Sequence, residues 1–388
     1  MTLEDLVLNA NTGADAIKKA PIVDEDTGLR CLRIGDVSQK RKFENWGFTK
    51  TTEEDYKRYK LEVDDIIIAR TGNTIGVNCF IEEDVNSVYN NGLIRMKADT
   101  SKVYPRYLYY LVSSKGCQDY IQSIAFGTST QPNMKIKDFL NYGINYQSKD
   151  IQKKIIEIID PIDQRIKTCD AINTVLRNIV GAIFAKMIED LPSDTSVVPI
   201  SDKAFGSLLK AKVDRYEGEK IYLATADVAE HSITSKSTKL TYDERPSRAN
   251  MQPQEWTLWF AKMKDSPKFI FLNDQCDEIV DNCIFSTGFY GIKAERDKFY
   301  YLWAFISSND FEKTKNAYCS GTTMQALNND GLSKITLPLP DKEVLQRFAD
   351  TVEPIFNQIH NNVVMSETLM EMRQLLLAKL LAGEIDIE

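Results

Sequence analysis

The sequence predicts a mixed α/β (α+β) fold, with two pseudo-repeated globular domains separated by two long antiparallel coiled-coil-like helices. Three observations lead there. The chain has 388 residues, more than one compact domain usually holds. It repeats itself at a nearly constant offset. Each copy closes on a segment whose apolar residues recur at steps of three and four.

The repeat is clearest where Ile158-Ile-Asp-Pro-Ile-Asp-Gln-Arg-Ile166 meets Thr351-Val-Glu-Pro-Ile-Phe-Asn-Gln-Ile359. The two prolines lie 354 − 161 = 193 residues apart, and the same offset pairs Ile166 with Ile359, Leu176 with Leu369 and Lys186 with Lys379. Upstream, with small gaps, Leu32–Val37 resembles Leu223–Val228, Leu108–Ser114 resembles Leu302–Ser308, and Gly127–Gln131 resembles Gly321–Gln325. The order of elements follows. Residues 1–147 form the first globular domain. In it, Asp65-Ile-Ile-Ile-Ala-Arg70 reads as a buried strand ended by the glycine-bearing turn Thr71–Gly76, and Pro105–Tyr110 opens an amphipathic helix. Residues 148–191 are a central long helical region. Residues 192–340 repeat the globular domain, with Trp256–Ala261 as the counterpart strand and Lys298–Phe305 as the counterpart helix. Residues 341–388 are a second long helical region.

The helical regions carry coiled-coil-like seams, Ile151, Ile155, Ile158, Ile162, Ile166, Cys169, Ile172, Leu176, Ile179 and Ile183 in one, Leu345 through Leu380 in the other. Asp160-Pro161 predicts a break with a fresh helix starting at the proline, and Pro354 predicts the same in the second copy. From Pro161 to Glu189 such a helix is roughly 43 Å long at 1.5 Å per residue. Two such helices in one chain can bury each other's seam; the alternative is pairing with another subunit.

Composition narrows the function classes. No stretch approaches the ~18 consecutive apolar residues of a membrane span, and the acidic start MTLEDLVLNAN is not laid out as a signal peptide, so a cytoplasmic location is expected. Seven cysteines stand singly and there are two histidines, a poor basis for zinc; reduced, mostly buried thiols are expected. A net charge of −8 opposes a simple electrostatic DNA clamp, although locally patterned charge is compatible with DNA and an acidic surface can serve protein partners. Catalytic signatures are missing. The sequence has no G-x-x-x-x-G-K-[ST] loop, and Gly72 and Gly76 lack the third glycine of a dinucleotide turn. It has no Asn-Pro-Pro-aromatic tetrapeptide, and no Pro-Asp precedes the nuclease-like cluster at Glu217–Lys220. His231 and His360 lack evident partners for nucleophilic catalysis.

What remains are polar loops suited to DNA. Lys40, Arg41 and Lys42, and Lys57 and Arg58, are basic clusters with aromatic neighbours; Arg70, Thr71 and Asn73 combine a guanidinium, a hydroxyl and an amide around Gly72. The second copy offers Arg245, Arg248, Lys262 and Lys264. Thr128 and Gln131, with Thr322 and Gln325, lie in the paired glycine loops. Arg and Asn read base edges bidentately, whereas Lys and Thr more often hold phosphate. For any one of these residues the competing reading is a solvated surface, and the glycine loops also fit plain turns.

Two variable globular units, each followed by a matching long helix, resemble the specificity subunits of type I restriction–modification enzymes. Segments similar to that family's signatures are Asp65–Gly76, Gly127–Asn133, Trp259–Met263, Ser286–Tyr290 and, among the most specific, Leu376-Leu-Ala-Lys-Leu-Leu-Ala-Gly-Glu-Ile385. The resemblance covers essentially the whole chain. It implies two target-recognition domains, each reading one half of a bipartite site on double-stranded DNA, with helices that set the spacing and dock two modification subunits. It further implies that S-adenosylmethionine, ATP and Mg sit on the modification and restriction partners rather than on this non-catalytic chain. The second copy departs from the pattern: Ala261-Lys-Met stands where the first has Arg70-Thr-Gly, so the two half-sites are expected to differ. The alternatives are the specificity subunit of a methylation-only system, a coiled-coil scaffold without a DNA role and, weakest, an unrecognised nuclease.

Overall fold

The structure is a computed structural model that describes residues 1–125, 132–322 and 324–387. It divides into two compact units, Met1–Lys167 with Ser366–Glu388, and Thr168–Met365. Both boundaries fall inside the long helices.

The first unit holds β1 (Val7–Thr12), β2 (Arg30–Leu32), β3 (Ile66–Ala69), β4 (Asn78–Phe80), β5 (Ser87–Tyr89) and β6 (Leu93–Ala98). An antiparallel sheet runs β1-β6-β3-β4, and β2 pairs with β5 in parallel. The apolar run of β3 follows from burial on both faces. Ile66 and Ile68 pack with Leu108, Leu111 and Ile121 of helices Pro105–Ser113 and Lys115–Ala125, whereas Ile67 and Ala69 pack with Cys31, Leu32 and Tyr89 on the other side.

The second unit holds β7 (Val197–Pro199), β8 (Ser207–Leu208), β9 (Lys220–Leu223), β10 (Val228–Ala229), β11 (Ser232–Ile233), β12 (Lys239–Leu240), β13 (Ala249–Met251), β14 (Thr257–Ala261), β15 (Phe269–Leu272), β16 (Cys283–Ser286), β17 (Phe289–Lys293) and β18 (Thr336–Pro338). Its sheet β15-β14-β17-β8 repeats the first unit's β4-β3-β6-β1, and the parallel pair β9–β16 repeats β2–β5. Burial again splits with period two: Leu258 and Phe260 face helix Arg296–Ile306, whereas Trp259 and Ala261 face Leu223 and Phe285.

The long helices span Lys149–Glu189 and Lys342–Ala382, 41 residues each. Within each unit their segments run antiparallel. In the first, Arg373 donates to Asp163 while Gln147 donates to Leu380 O. In the second, Asn173 meets Asn362 while Phe184 packs on Phe348.

Three expectations are corrected. Pro161 and Pro354 lie inside their helices and start neither of them, so each helix extends to roughly 61 Å at 1.5 Å per residue. Both rings point to solvent, where water can serve the carbonyl left without its donor. The residue before each proline is held from the globular part of its own unit. Arg106 and Tyr110, one turn apart, donate to Asp160; Arg296 and Tyr300, also one turn apart, donate to Glu353. Tertiary clasping thus overrides the local helix-start signal. The predicted seam is also partly misplaced. Ile158, Ile172, Ile179 and Met372 are exposed, and the buried line of the first helix passes through Ile155, Ile159, Cys169, Asn173 and Val180. The sequence contains two apolar stripes, and simple period counting merged them. Finally, the first helix is, by length and composition alone, long and apolar enough to cross a membrane. The helix is instead ordered by one-sided packing: Asn173 lies on its buried line, and Asp170 and Arg177 interrupt the apolar run.

Candidate nucleic-acid interface

The end of the central strand becomes a turn in both units, and the same backbone bonds hold it. In the first, Arg70 N donates to Gly92 O (2.9 Å), Gly72 N to Pro132 O (3.2 Å) and Met134 N to Arg70 O (2.8 Å). In the second, Lys262 N donates to Gly288 O (2.9 Å), Lys264 N to Gln325 O (3.0 Å) and Leu327 N to Lys262 O (2.7 Å). Bridges Thr71–Asn133 and Met263–Ala326 complete the match. Arg70 and Lys262 therefore occupy equivalent positions, which corrects by one residue the expected alignment of Ala261 with Arg70; Ala261 instead matches the buried Ala69.

Their surroundings differ. Arg70 is half-buried; its Nη2 donates to Asn133 Oδ1 at 3.0 Å, and its buried Nε has no partner among the described residues. Asn90, two residues before the Gly92 whose carbonyl accepts from Arg70 N, also has a buried Oδ1 with no partner among the described residues. The turn next to Arg70 has φ of +81° at Gly72, and these atoms are left for water or a polar ligand to serve. Lys262 places its ammonium 4.4 Å from the Tyr290 ring centroid, and burial lowers its pKa. Arg248 is exposed and its carbonyl accepts from Thr287 N, next to Gly288. Backbone bonds thus link the residues of Arg248, Lys262, Lys264 and Gln325, and Thr322 is exposed in the same loop as Gln325.

Other candidates are placed differently. Arg245 is turned inward, donating to Ala249 O and Asn250 Oδ1 (2.9 Å each) over the Tyr242 ring. Lys57 pairs with Glu53 (2.7 Å) and Arg58 lies over Tyr59, local contacts on a helix with an acidic first turn. Lys40 and Lys42 are exposed; Arg41 pairs with Asp36 at 3.3 Å. Thr71 is half-buried and Asn73 is exposed. Thr128 and Gln131 lie outside the described residues. Asn133 and Tyr290 lay inside motifs singled out from the sequence, but only the fold shows what they touch.

The most nucleophile-like grouping is Cys276, whose Sγ lies 3.8 Å from His360 Nδ1 and 3.4 Å from Asn273 Oδ1. Burial pushes its pKa up to about 11, so it is a protonated thiol at neutral pH and no thiolate nucleophile. His231 stacks on Phe269, and burial lowers its pKa to about 3, with Arg177 adding to the shift. It stays neutral at physiological pH.

The sequence model of the family described as "Type I restriction modification DNA specificity domain" matches residues 2–178 and again 206–364. The type I restriction enzyme HindI specificity subunit of Haemophilus influenzae is 22% identical over 391 residues, covering 81% of this chain and 85% of that protein. The MjaIX specificity subunit of Methanocaldococcus jannaschii is 24% identical over 316 residues, covering 74% of this chain and 70% of that protein. A crystal structure of a type I restriction–modification S subunit from M. genitalium superposes with a TM-score of 0.51 at 15% identity, covering 100% of this chain and 96% of that one. At that identity the likeness speaks for the fold.

Proposed function

The chain belongs to the type I restriction–modification DNA specificity family, and from that premise we propose that it reads a bipartite DNA site for a modification–restriction complex and catalyses nothing itself. The observation that carries the proposal is the pair of equivalent turns. Each unit ends its central strand in a polar loop held by matching backbone bonds, headed by Arg70, whose buried Nε has no partner among the described residues, in one and by Lys262 in the other. Each of the two segments matched by the family's domain model, residues 2–178 and 206–364, contains one of them. Arg70 has the fork needed for bidentate contact with guanine O6 and N7, while Lys262 is a single donor, so the halves differ in sequence.

Two modification subunits, carrying S-adenosylmethionine, dock on the long helices, and restriction subunits supply ATP- and Mg-dependent cleavage. The misplaced part of the seam supports the docking. Ile172 and Ile179 are exposed on the first helix, and Met365 and Met372 are exposed at the repeat-equivalent positions of the second. Exposed apolar residues seven apart on a helix form a stripe that another helix can cover. The complex acts in the cytoplasm, where its DNA lies.

The test is to reconstitute the chain with its modification subunits and map methylated bases genome-wide. A two-part motif with an unread spacer is expected. Arg70→Ala should relax one half and Lys262→Ala the other. A continuous motif, or both variants relaxing the same half, would overturn the reading. Ile172→Asp should abolish co-elution of one modification subunit without unfolding the chain.

A further inference from the structure

We propose that Lys315 is the positioning residue that holds the recognition turn of the second unit in its reading conformation. This rests on the reading of that turn given above.

The first unit shapes its turn with glycine. Gly76 has φ of +89°, and a Cβ there would stand 2.6 Å from Gln118 Oε1 and 3.3 Å from Ile121 Cγ2. The loop therefore lies directly on helix Lys115–Ala125. The second unit has no glycine between Lys262 and Ser266. Its turn instead uses Asp265 at φ of +53°, a left-handed conformation that costs a non-glycine residue more than glycine and that neighbouring contacts can stabilise.

The holding group comes from the equivalent helix, Asn309–Ala317. Capping serines align the two helices: Ser114 Oγ accepts from Cys117 N, and Ser308 Oγ accepts from Phe311 N. Seven residues after each serine stand Ile121 and Lys315, both 0% exposed. Lys315 Nζ donates to Ser266 O at 3.0 Å and to Ala261 O at 3.4 Å, and lies 2.8 Å from the Glu312 carboxylate. The ammonium thus ties together the carbonyls at the two ends of the loop that carries Lys262 and Lys264. Asn316 adds a reciprocal pair, accepting from Asp265 N at 2.9 Å and donating to Asp265 Oδ1 at 3.0 Å.

Burying an ammonium is unfavourable unless it is paired and fully hydrogen-bonded. The first unit fills the same place with isoleucine, so the architecture does not require a charge there. The turn above it does.

The experiment uses the complete complex with its modification subunits. Replacing Lys315 alone would strand Glu312 in the interior, so the informative variant is Glu312→Leu with Lys315→Met, since a buried ion pair replaced by apolar groups generally keeps its fold. It is compared with Lys262→Ala. In the double variant, discrimination at the second half-site should fall roughly 10- to 100-fold, the scale of one misplaced base contact. The first half-site should be read as before and the thermal midpoint should be retained. Amide exchange across Lys262–Ser266 should accelerate. If Lys262→Ala relaxes the second half-site and the double variant does not, Lys315 is merely structural and the proposal fails. Equal loss at both half-sites, or a lowered thermal midpoint, overturns it in the same way. If neither variant changes the second half-site, the turn is not a reader and the underlying functional reading falls with the proposal.

Discussion

Arg70 was legible because it closes an apolar run directly before a glycine turn. Its grip was not: Asn133, which holds the guanidinium, is far away in sequence. Arg70→Ala should cost about 1–3 kcal/mol of discrimination at one half-site. Arg70→Lys should not restore it, because a lysine lacks the bidentate fork. Methylation rates on matched and mismatched oligonucleotides measure both. Lys315 was illegible for a plainer reason: in Asn309–Ala317 it reads as one more charge on a polar helix, and only tertiary packing buries it. His231 makes a separate prediction. Its imidazole is pushed down to about 3 by burial, whereas an unfolded histidine titrates near ~6.5. The folded pKa is the lower one, so the unfolded chain binds the proton first. The stability this group supports is intact above pH ~6.5 and is lost as pH falls from there towards 3. At pH 5 the loss should be about 1–2 kcal/mol. His231→Phe should remove that part of the pH dependence, measured as the difference in urea unfolding between pH 7.5 and pH 5. Identical slopes for the variant and the parent would refute the assignment.

Strands and helices differed in how openly the sequence declared them. The all-buried β3 and β14 were announced by apolar runs with turn signals after them, and helices Pro105–Ser113 and Arg296–Ile306 by their periodicity. The uninterrupted long helices were concealed by their prolines. What sustains each helix there is a contact from outside it: an arginine and a tyrosine on a neighbouring helix, gripping the carboxylate that precedes the proline. Since Pro161 is exposed and makes no helical donor bond, Pro161→Ala should stabilise the chain, by up to ~3 kcal/mol on the helix-propensity scale. Asp160→Ala should do the opposite, by roughly 1–2 kcal/mol, because Arg106 and Tyr110 lose the acceptor they share and keep only Glu82 and Asp163. Denaturant midpoints of the two variants should therefore move in opposite directions. The buried Asn173–Asn362 pair, joined at 2.8 Å, fits the use of a polar contact to fix helix register at some expense of stability. No periodicity count would flag it.

At the scale of the whole molecule, the repeat carried most of the inference: it announced the duplicated architecture and the equivalence of the two turns. Net charge carried the main objection to a DNA role, and it predicts something. With a charge of −8, the chain alone should bind DNA weakly and gain affinity when its partners add phosphate contacts. Nanomolar specific binding by the isolated chain at physiological salt would contradict this. The proposed role of the helices in spacing is open to a length test. Four residues inserted near Leu191, continuing a helix that ends at Glu189, add about 6 Å. The unread spacer should grow by one or two base pairs with both half-motifs unchanged, as read by methylation mapping. An unaltered spacer would mean that something other than the helices sets the distance.

The first unit is not continuous in sequence, and this has a consequence for how it is made. Leu377 and Leu380 belong to the same buried cluster as Ile66, Leu108 and Ile155. A ribosome must therefore synthesise the entire second unit before the first can close its core. At ~5–20 residues per second, the intervening stretch of roughly 200 residues keeps that apolar surface waiting for on the order of 10–40 s. The second unit, Thr168–Met365, has no such wait. A chain released early, short of Ser366, should leave its earlier-made unit incomplete, exposed to chaperones and proteases, while its later-made unit folds.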